Sequence, residues 1–336
     1  MIRKAINSGK IKFYLMDNNK LVIKVNSGLE KVSKQIAITN KLLNLIDPPL
    51  IPYRKKDKWG FCTPDKKIEI DCIYDDTTVF SEGLASVKTK GKWMFINKSG
   101  IQVIPYTFYE TSIFSEGLVA VKLNHRLGYI DSTGKQIIPC VYENSIWDNS
   151  SFSEGLAAVQ FKGKWGFIDK FGTQVIPFTY FGVLDVFFNG IACVELADDS
   201  DGYDSKKFED SWSTPYIDKS GKVVNIDPNN DFYFREGLRS YAVEPPPDFE
   251  EPWKFGFVDK SYNVVIPCIY STANNFSEGL AAVKLNNRWG FINKMGTQVI
   301  PCIYDKVEDF FNSLSKVKLN GKRGYIDKRG TQFWED

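Results

Sequence analysis

From about residue 50 onward the chain repeats one pattern of apolar and polar positions. The clearest copy runs from Phe276 to Tyr304, FSEGLAAVKLNNRWGFINKMGTQVIPCIY. Three short runs of strand character, Gly279 to Lys284, Trp289 to Asn293 and Gln298 to Pro301, are separated by two polar turns. Trp289 and Phe291 are two positions apart, so in an extended strand both rings project to one side, and Gly290 between them leaves room on the other. The second turn reads Asp-Lys-x-Gly in the copies Asp169 to Gly172, Asp218 to Gly221 and Asp327 to Gly330. An Asp side chain can bond the backbone two residues on and Gly accepts positive φ, which is hairpin chemistry. The Pro of the third run lacks a donor and is expected at a strand end or on a sheet edge.

The anchors of the copies are Trp59, Trp93, Leu127, Trp165, Phe255, Trp289 and Arg323, each followed by Gly or, at Met94, its replacement. Trp59, Trp93 and Leu127 are 34 residues apart, as are Phe255, Trp289 and Arg323. A degenerate copy fits between them with Pro215-Tyr216-Ile217-Asp218 in register, giving eight units, the last ending near Trp334. Residues 1–49 fall outside the pattern. Lys10 to Val25 reads as a hairpin around Asp17-Asn18-Asn19, and Leu29 to Ile46 has helical spacing that Asp47-Pro48-Pro49 stops. The predicted organisation is therefore a small α+β appendage over 1–49, with a docking role as its sharper reading, and an all-β repeat array over 50–336.

The joint recurrence of Lys-Trp-Gly-Phe-Ile-Asp-Lys-x-Gly, Val-Ile-Pro-x-x-Tyr and Phe-Ser-Glu-Gly-Leu-Ala resembles the bacterial WG repeat family, over roughly residues 50–334. The resemblance implies an all-β array, an interaction module, and no catalytic residue to carry over. The sequence departs from the pattern at Met94, Leu127, Arg323, Asp71 and Tyr262. One three-stranded unit cannot bury both faces, so neighbours must stack. Eight units can close into a β-propeller, and an open twisted β-solenoid is the alternative. The short period counts against the propeller and its strand-turn-strand hairpins count for it.

Composition narrows the function classes. The chain of 336 residues is 43% hydrophobic and 25% charged, with net charge +2, so it can build a core and carries no basic excess for nucleic acid. The N-terminus shows no signal-peptide run and no stretch is long and apolar enough for a spanning helix, so a cytoplasmic location is expected, with an extracellular one as the alternative. Four of the six cysteines, Cys72, Cys140, Cys268 and Cys302, fill one slot that Phe178 fills elsewhere, which marks them as packing residues rather than disulfide or zinc partners. One His, no CxxC, no phosphate loop and no nucleophile elbow leave no catalytic, cofactor or metal set, and an enzyme is not expected. Asp199-Ser200-Asp201-Gly202 falls short of a calcium loop, with Ala197 and Phe208 where acids are needed.

Two kinds of residue remain as candidates. The corner Glu82, Glu116, Glu154, Glu236 and Glu278 recurs, and a repeated turn carboxylate is expected to bond backbone N–H groups. Against that frame, two insertions stand out, Ala197 to Ser213 and Glu244 to Trp253, interrupting the same turn of the fifth and sixth units. They should leave one edge side by side, acidic there and basic at the equivalent turns elsewhere. The expected function is a non-enzymatic protein–protein interaction scaffold with a docking rim of Asp198, Asp199, Asp201, Tyr203, Asp204, Phe208, Trp212, Asp248, Phe249, Glu250, Glu251 and Trp253. The alternative is a glycan or cell-surface binder using stacked Trp and Tyr rings, although the Trp slot, also held by Leu127 and Phe255, reads as core. No cofactor and no nucleic-acid partner is expected, and the partner and oligomeric state are not specified by the sequence.

Overall fold

The computed structural model describes residues 11–15, 21–25, 49–143, 150–196, 215–224, 234–243 and 253–336. The chain divides into two units, Met1–Pro49 and Leu50–Asp336. In the first, Ile11–Leu15 pairs antiparallel with Leu21–Val25, from Ile11 opposite Val25 to Leu15 opposite Leu21, which is the expected hairpin. The helix expected over Leu29 to Ile46 lies outside the described residues.

The second unit is all β. Its described strands form eight sheets, one per repeat, seven of them consecutive antiparallel meanders and the first a meander joined by the C-terminal strand. The seventh shows the full plan: Thr272–Ser277, Leu280–Leu285, Arg288–Asn293 and Gln298–Tyr304 in spatial order. The strand before the Phe-Ser-Glu-Gly corner was not foreseen. Among the described residues it is formed by the link before the corner in four units, Asp76–Thr77 in the second, Gly182–Phe188 in the fifth, Thr272–Ser277 in the seventh and Lys306–Val307 in the eighth. These links carry no clean apolar alternation, so the sequence hides them.

The core lies between sheets rather than within them. Each buried cluster joins neighbours: Phe95 and Ile104 of the second unit meet Phe114 and Val119 of the third, and Phe291 and Ile300 of the seventh meet Phe310 and Ile326 of the eighth. A corner Phe meets the second-strand aromatic of the preceding unit edge to face, with centroids 4.8 to 5.3 Å apart at Phe95–Phe114, Tyr129–Phe152, Phe167–Phe187, Phe257–Phe276 and Phe291–Phe310. The turn glycines face the same joints. Gly134 and Gly172, both at positive φ, sit against Ile104 and Ile138 of the preceding unit.

Between the open and closed alternatives the C-terminus decides. Trp334–Glu335 pairs in parallel with Ile51–Lys55, so the last residues complete the first sheet. Lys56 N–H donates to Glu335 O at 2.9 Å, Tyr53 Oη donates to Glu335 Oε1 at 2.7 Å, and the buried Arg54 guanidinium reaches Asp336 at 2.9 Å and Arg323 O at 2.8 Å. Leu50, Tyr53 and Trp59 of the first unit share a core with Leu314, Tyr325 and Phe333 of the eighth. The array is a ring of sheets of β-propeller type, its seam closed by the C-terminal strand. No one sheet closes into a barrel. The copy reading Phe311-Asn312-Ser313 is the unit at that seam.

Candidate functional site

The repeated polar residues are largely joints between units. Each corner Glu sits at φ between 52 and 55°, a left-handed conformation that aims its carboxylate at the next unit. Glu82 accepts from Gly117 N–H at 3.0 Å, Glu116 from Gly155 at 3.0 Å, Glu154 from Gly190 at 2.9 Å, Glu236 from Gly279 at 3.1 Å and Glu278 from Ser313 at 2.9 Å. The corner Ser donates to the next unit's corner carbonyl, as in Ser115 Oγ to Phe152 O at 2.7 Å. A Lys from the Asp-Lys-x-Gly or Asn-Lys-x-Gly turn completes the joint at Lys170–Glu116, Lys219–Glu154, Lys294–Glu236 and Lys328–Glu278. Burial works against ionisation of Glu154 and Glu236, but the Lys ammonium and the Gly N–H outweigh it and hold both below the usual carboxylate range. The expectation that these acids bond backbone is met.

The opposite edge of the ring carries the turn between the two strands that follow the corner, next to the basic residues of the anchors. At five of the anchors the basic residue meets an acid or an aromatic ring. Lys58 meets Asp75 at 2.5 Å, Arg126 meets Glu143 at 2.8 Å and Arg288 meets Asp305. Lys92 and Lys164 lie over the Tyr109 and Phe181 rings, 3.4 and 3.8 Å from the centroids. All five partners stand at the position after the unit's closing Tyr or Phe. The acids also accept from the neighbouring unit's turn, Glu143 from Gly163 N–H at 2.8 Å and Asp305 from Gly321 N–H at 3.0 Å. The sequence reading missed this residue, although its fixed place one step past the Tyr was the available signal.

The insertions leave from this same edge. In the fifth unit Ile191–Glu195 pairs with Tyr216–Asp218, and in the sixth Arg239–Val243 pairs with Lys254–Val258, so both interrupt the equivalent turn. The two units are neighbours, with the Arg235 guanidinium of the sixth 3.6 Å from the Phe188 ring of the fifth. Of the expected docking residues, Trp253 is half exposed at the foot of the second insertion. Asp198, Asp199, Asp201, Tyr203, Asp204, Phe208, Trp212, Asp248, Phe249, Glu250 and Glu251 lie outside the described residues.

A cavity of about 790 Å³ opens where links of the second, third, fourth, fifth and eighth units converge. Asp76, Glu110, Glu308 and Arg323 line it. Arg323 pairs with Asp76 at 3.0 Å and Lys122 stands 3.6 Å from Glu110. Glu308 is open to the cavity yet enclosed by protein, and that burial pushes its carboxyl up. The hydroxyls of Thr77 and Thr111 are spent on the carbonyls of Ser86 and Ala120.

A family model described as WG containing repeat matches six stretches, residues 59–93, 93–124, 128–165, 165–198, 255–289 and 289–322, together more than half of the chain. No curated protein matches. Among solved structures, a crystal structure of a eukaryotic initiation factor is similar at a TM-score of 0.54 with 12% identity, over 84% of this chain and 94% of that one. A structure of Hsv2p from Kluyveromyces lactis is similar over 75% of this chain and 74% of its own, at 12% identity and a TM-score of 0.33. At these identities the first likeness speaks to fold alone.

Proposed function

Because this chain belongs to the WG containing repeat family, we propose that it serves as a non-enzymatic protein-interaction scaffold, a closed ring that presents its irregular loops to a partner. One observation carries this: the two insertions interrupt the same turn of adjacent units, between Glu195 and Tyr216 and between Val243 and Lys254. The framework supports it from the other side, since its recurring carboxylates and lysines are engaged in joints between units. The insertions carry Asp198, Asp199, Asp201, Asp204, Asp248, Glu250 and Glu251 against Lys206 and Lys207, a charge balance suited to a basic partner surface. Phe208, Trp212, Phe249 and Trp253 supply aromatic anchors. Sugar stacking on the repeat Trp rings fits less well, because Trp59, Trp93 and Trp165 are buried.

The test is affinity capture from native lysate with the intact chain beside a variant whose two insertions are replaced by the Asn-Gly-Lys turn of residues 320–322. A partner held by the first and lost by the second supports the docking edge. Equal capture by both contradicts that edge, and no partner for either contradicts the scaffold.

A further inference from the structure

The eighth unit departs from the repeat at three places that fall together. Glu308 stands two residues before the corner Phe, a slot that holds Thr78 in the second unit and Ser112 in the third. Lys316 stands where the second, third and seventh units hold the buried Ser86, Ala120 and Ala282. Arg323 takes the Trp place of the anchor. All three line the cavity of about 790 Å³. In the second and third units the hydroxyl of the first slot is used inside the sheet, where Thr78 Oγ1 accepts from Ser86 N–H at 3.1 Å and Ser112 Oγ from Ala120 N–H at 3.2 Å. In the eighth, Glu308 is tied through its backbone, its N–H donating to Lys316 O at 2.9 Å and its carbonyl accepting from Ser315 Oγ at 2.6 Å. Its carboxylate is left to the cavity.

The three charges are not answered alike. Arg323 pairs with Asp76 at 3.0 Å. Glu308 and Lys316 attract each other, but among the described residues neither is in an ion pair. The Lys316 ammonium stands 5.9 Å from the centre of the Tyr325 ring. Burial pushes the Glu308 carboxyl up against the pull of Lys316 and Arg323, so its charged form gains from a donor brought into the cavity. On the wall of the third unit Glu110 Oε2 is buried without a hydrogen-bond donor, the Lys122 ammonium being 3.6 Å away. Val79, Ile113 and Leu314 add apolar surface. A ligand with a single charge would answer one of Glu308 and Lys316 and desolvate the other at a cost. A ligand with both charges answers both, its ammonium donating to the carboxylate and its carboxylate accepting from Lys316.

From these observations we propose that the cavity binds a small zwitterion of the amino-acid type with an apolar side chain, held by Glu308 and Lys316. The volume admits one such amino acid or a short peptide of them with free ends, and the two share this chemistry. The site is separate from the insertions and does not rest on the scaffold reading.

Isothermal titration calorimetry of the full chain with L-phenylalanine and with L-leucyl-L-leucine tests this, beside phenethylamine and 3-phenylpropanoate, which carry one charge each. At least one of the zwitterions is expected to bind saturably, and the singly charged compounds about tenfold more weakly than it, the effect of one lost charge-assisted bond. The tighter of the two zwitterions tells a free amino acid from a peptide. E308T and K316A restore residue types that the same slots hold in other units, and each is expected to weaken binding about tenfold. Should either fail to fold, E308Q or K316M takes its place with the same expectation. Saturable binding of neither zwitterion, equal binding of a singly charged compound, or binding unchanged by substitution at either position overturns the proposal.

Discussion

At the residue scale the Gly of the Trp-Gly pair is where sequence and structure meet most closely. The alternation of Trp and Phe showed that Gly leaves space on one side of the strand, and burial of Trp59 and Phe61 bears out the packing face. What fills the space could not be read from one strand. The third strand bulges across it, so a Cβ on Gly290 would lie 2.6 Å from Ile300 O and 2.7 Å from Cys302 N, both backbone atoms that cannot swing aside. G290A is expected to lower stability by about 2–3 kcal/mol through overpacking. G321A, in open space but at φ +82°, is expected to cost only about 1 kcal/mol from backbone strain. Urea midpoints of the two variants check the order, and equal losses would contradict it. The corner acids make a second prediction. E116A removes the acceptor for Gly155 N–H and the partner of Lys170, and with the group part exposed a loss of about 1 kcal/mol is expected, together with faster exchange of the Gly155 amide.

At the element scale the units themselves were legible because three signals, apolar alternation, turn residues and Pro, agreed in each copy. The unit that departs from Gly shows why the agreement matters. With Met94 in the Gly position, the third run of the second unit forms no continuous ladder with its neighbour, which it meets through the bridges Trp93 with Phe108 and Ile96 with Gln102 and through Val103 N–H donating to Phe95 O at 3.0 Å. Tyr106, in the slot where the first, third, sixth and seventh units hold a half-buried Cys, is exposed. M94G is expected to restore a continuous ladder and to slow exchange of the amides over 103–108; unchanged exchange there would mean that something other than the Met side chain displaces the strand. The link strands and the seam strand were not legible, since two to seven residues without alternation carry no local signal and their pairing depends on which unit stands next door. Deleting residues 333–336 removes the bonds to Arg54 and Lys56 and part of the shared core of the first and eighth units. Such a truncation is expected to lower the melting temperature by more than any single joint substitution and to expose the amides of Arg54 and Lys56 to exchange.

At the scale of the whole molecule the joints set the response to acid. Carboxylates that accept from backbone or pair with Lys and Arg titrate below their usual range: at Asp75 the Lys58 bond is the chief cause, at Glu143 the Arg126 bond, at Asp305 the Gly321 N–H and at Asp218 the Ser220 hydroxyl. A depressed native pKa means stability that is present above the unfolded carboxylate value, near 4, and lost as pH falls through the native values. Asp185 and Glu308 work in the opposite sense, burial raising both, but they are outnumbered. The melting temperature is expected to hold through the neutral range and to fall steeply below about pH 4; a rise on acidification would contradict the joint chemistry. That the copies must stack was evident from their single-unit size, whereas closure was not, because eight similar units specify an order and not a curvature. The candidate docking edge was legible only as a departure from the repeat, which locates irregular loops without describing their shape. The closed ring is the premise of everything above, and electron–electron distance measurement between bioorthogonal spin labels tests it most directly. Labels at Lys56 and Asn320 occupy equivalent turns of the first and eighth units. A closed ring predicts one narrow distance matching that of the control pair Lys90 and Asn124 on the adjacent second and third units. A long or broad distribution for the first pair, with the control narrow, would show an open array and contradict the account.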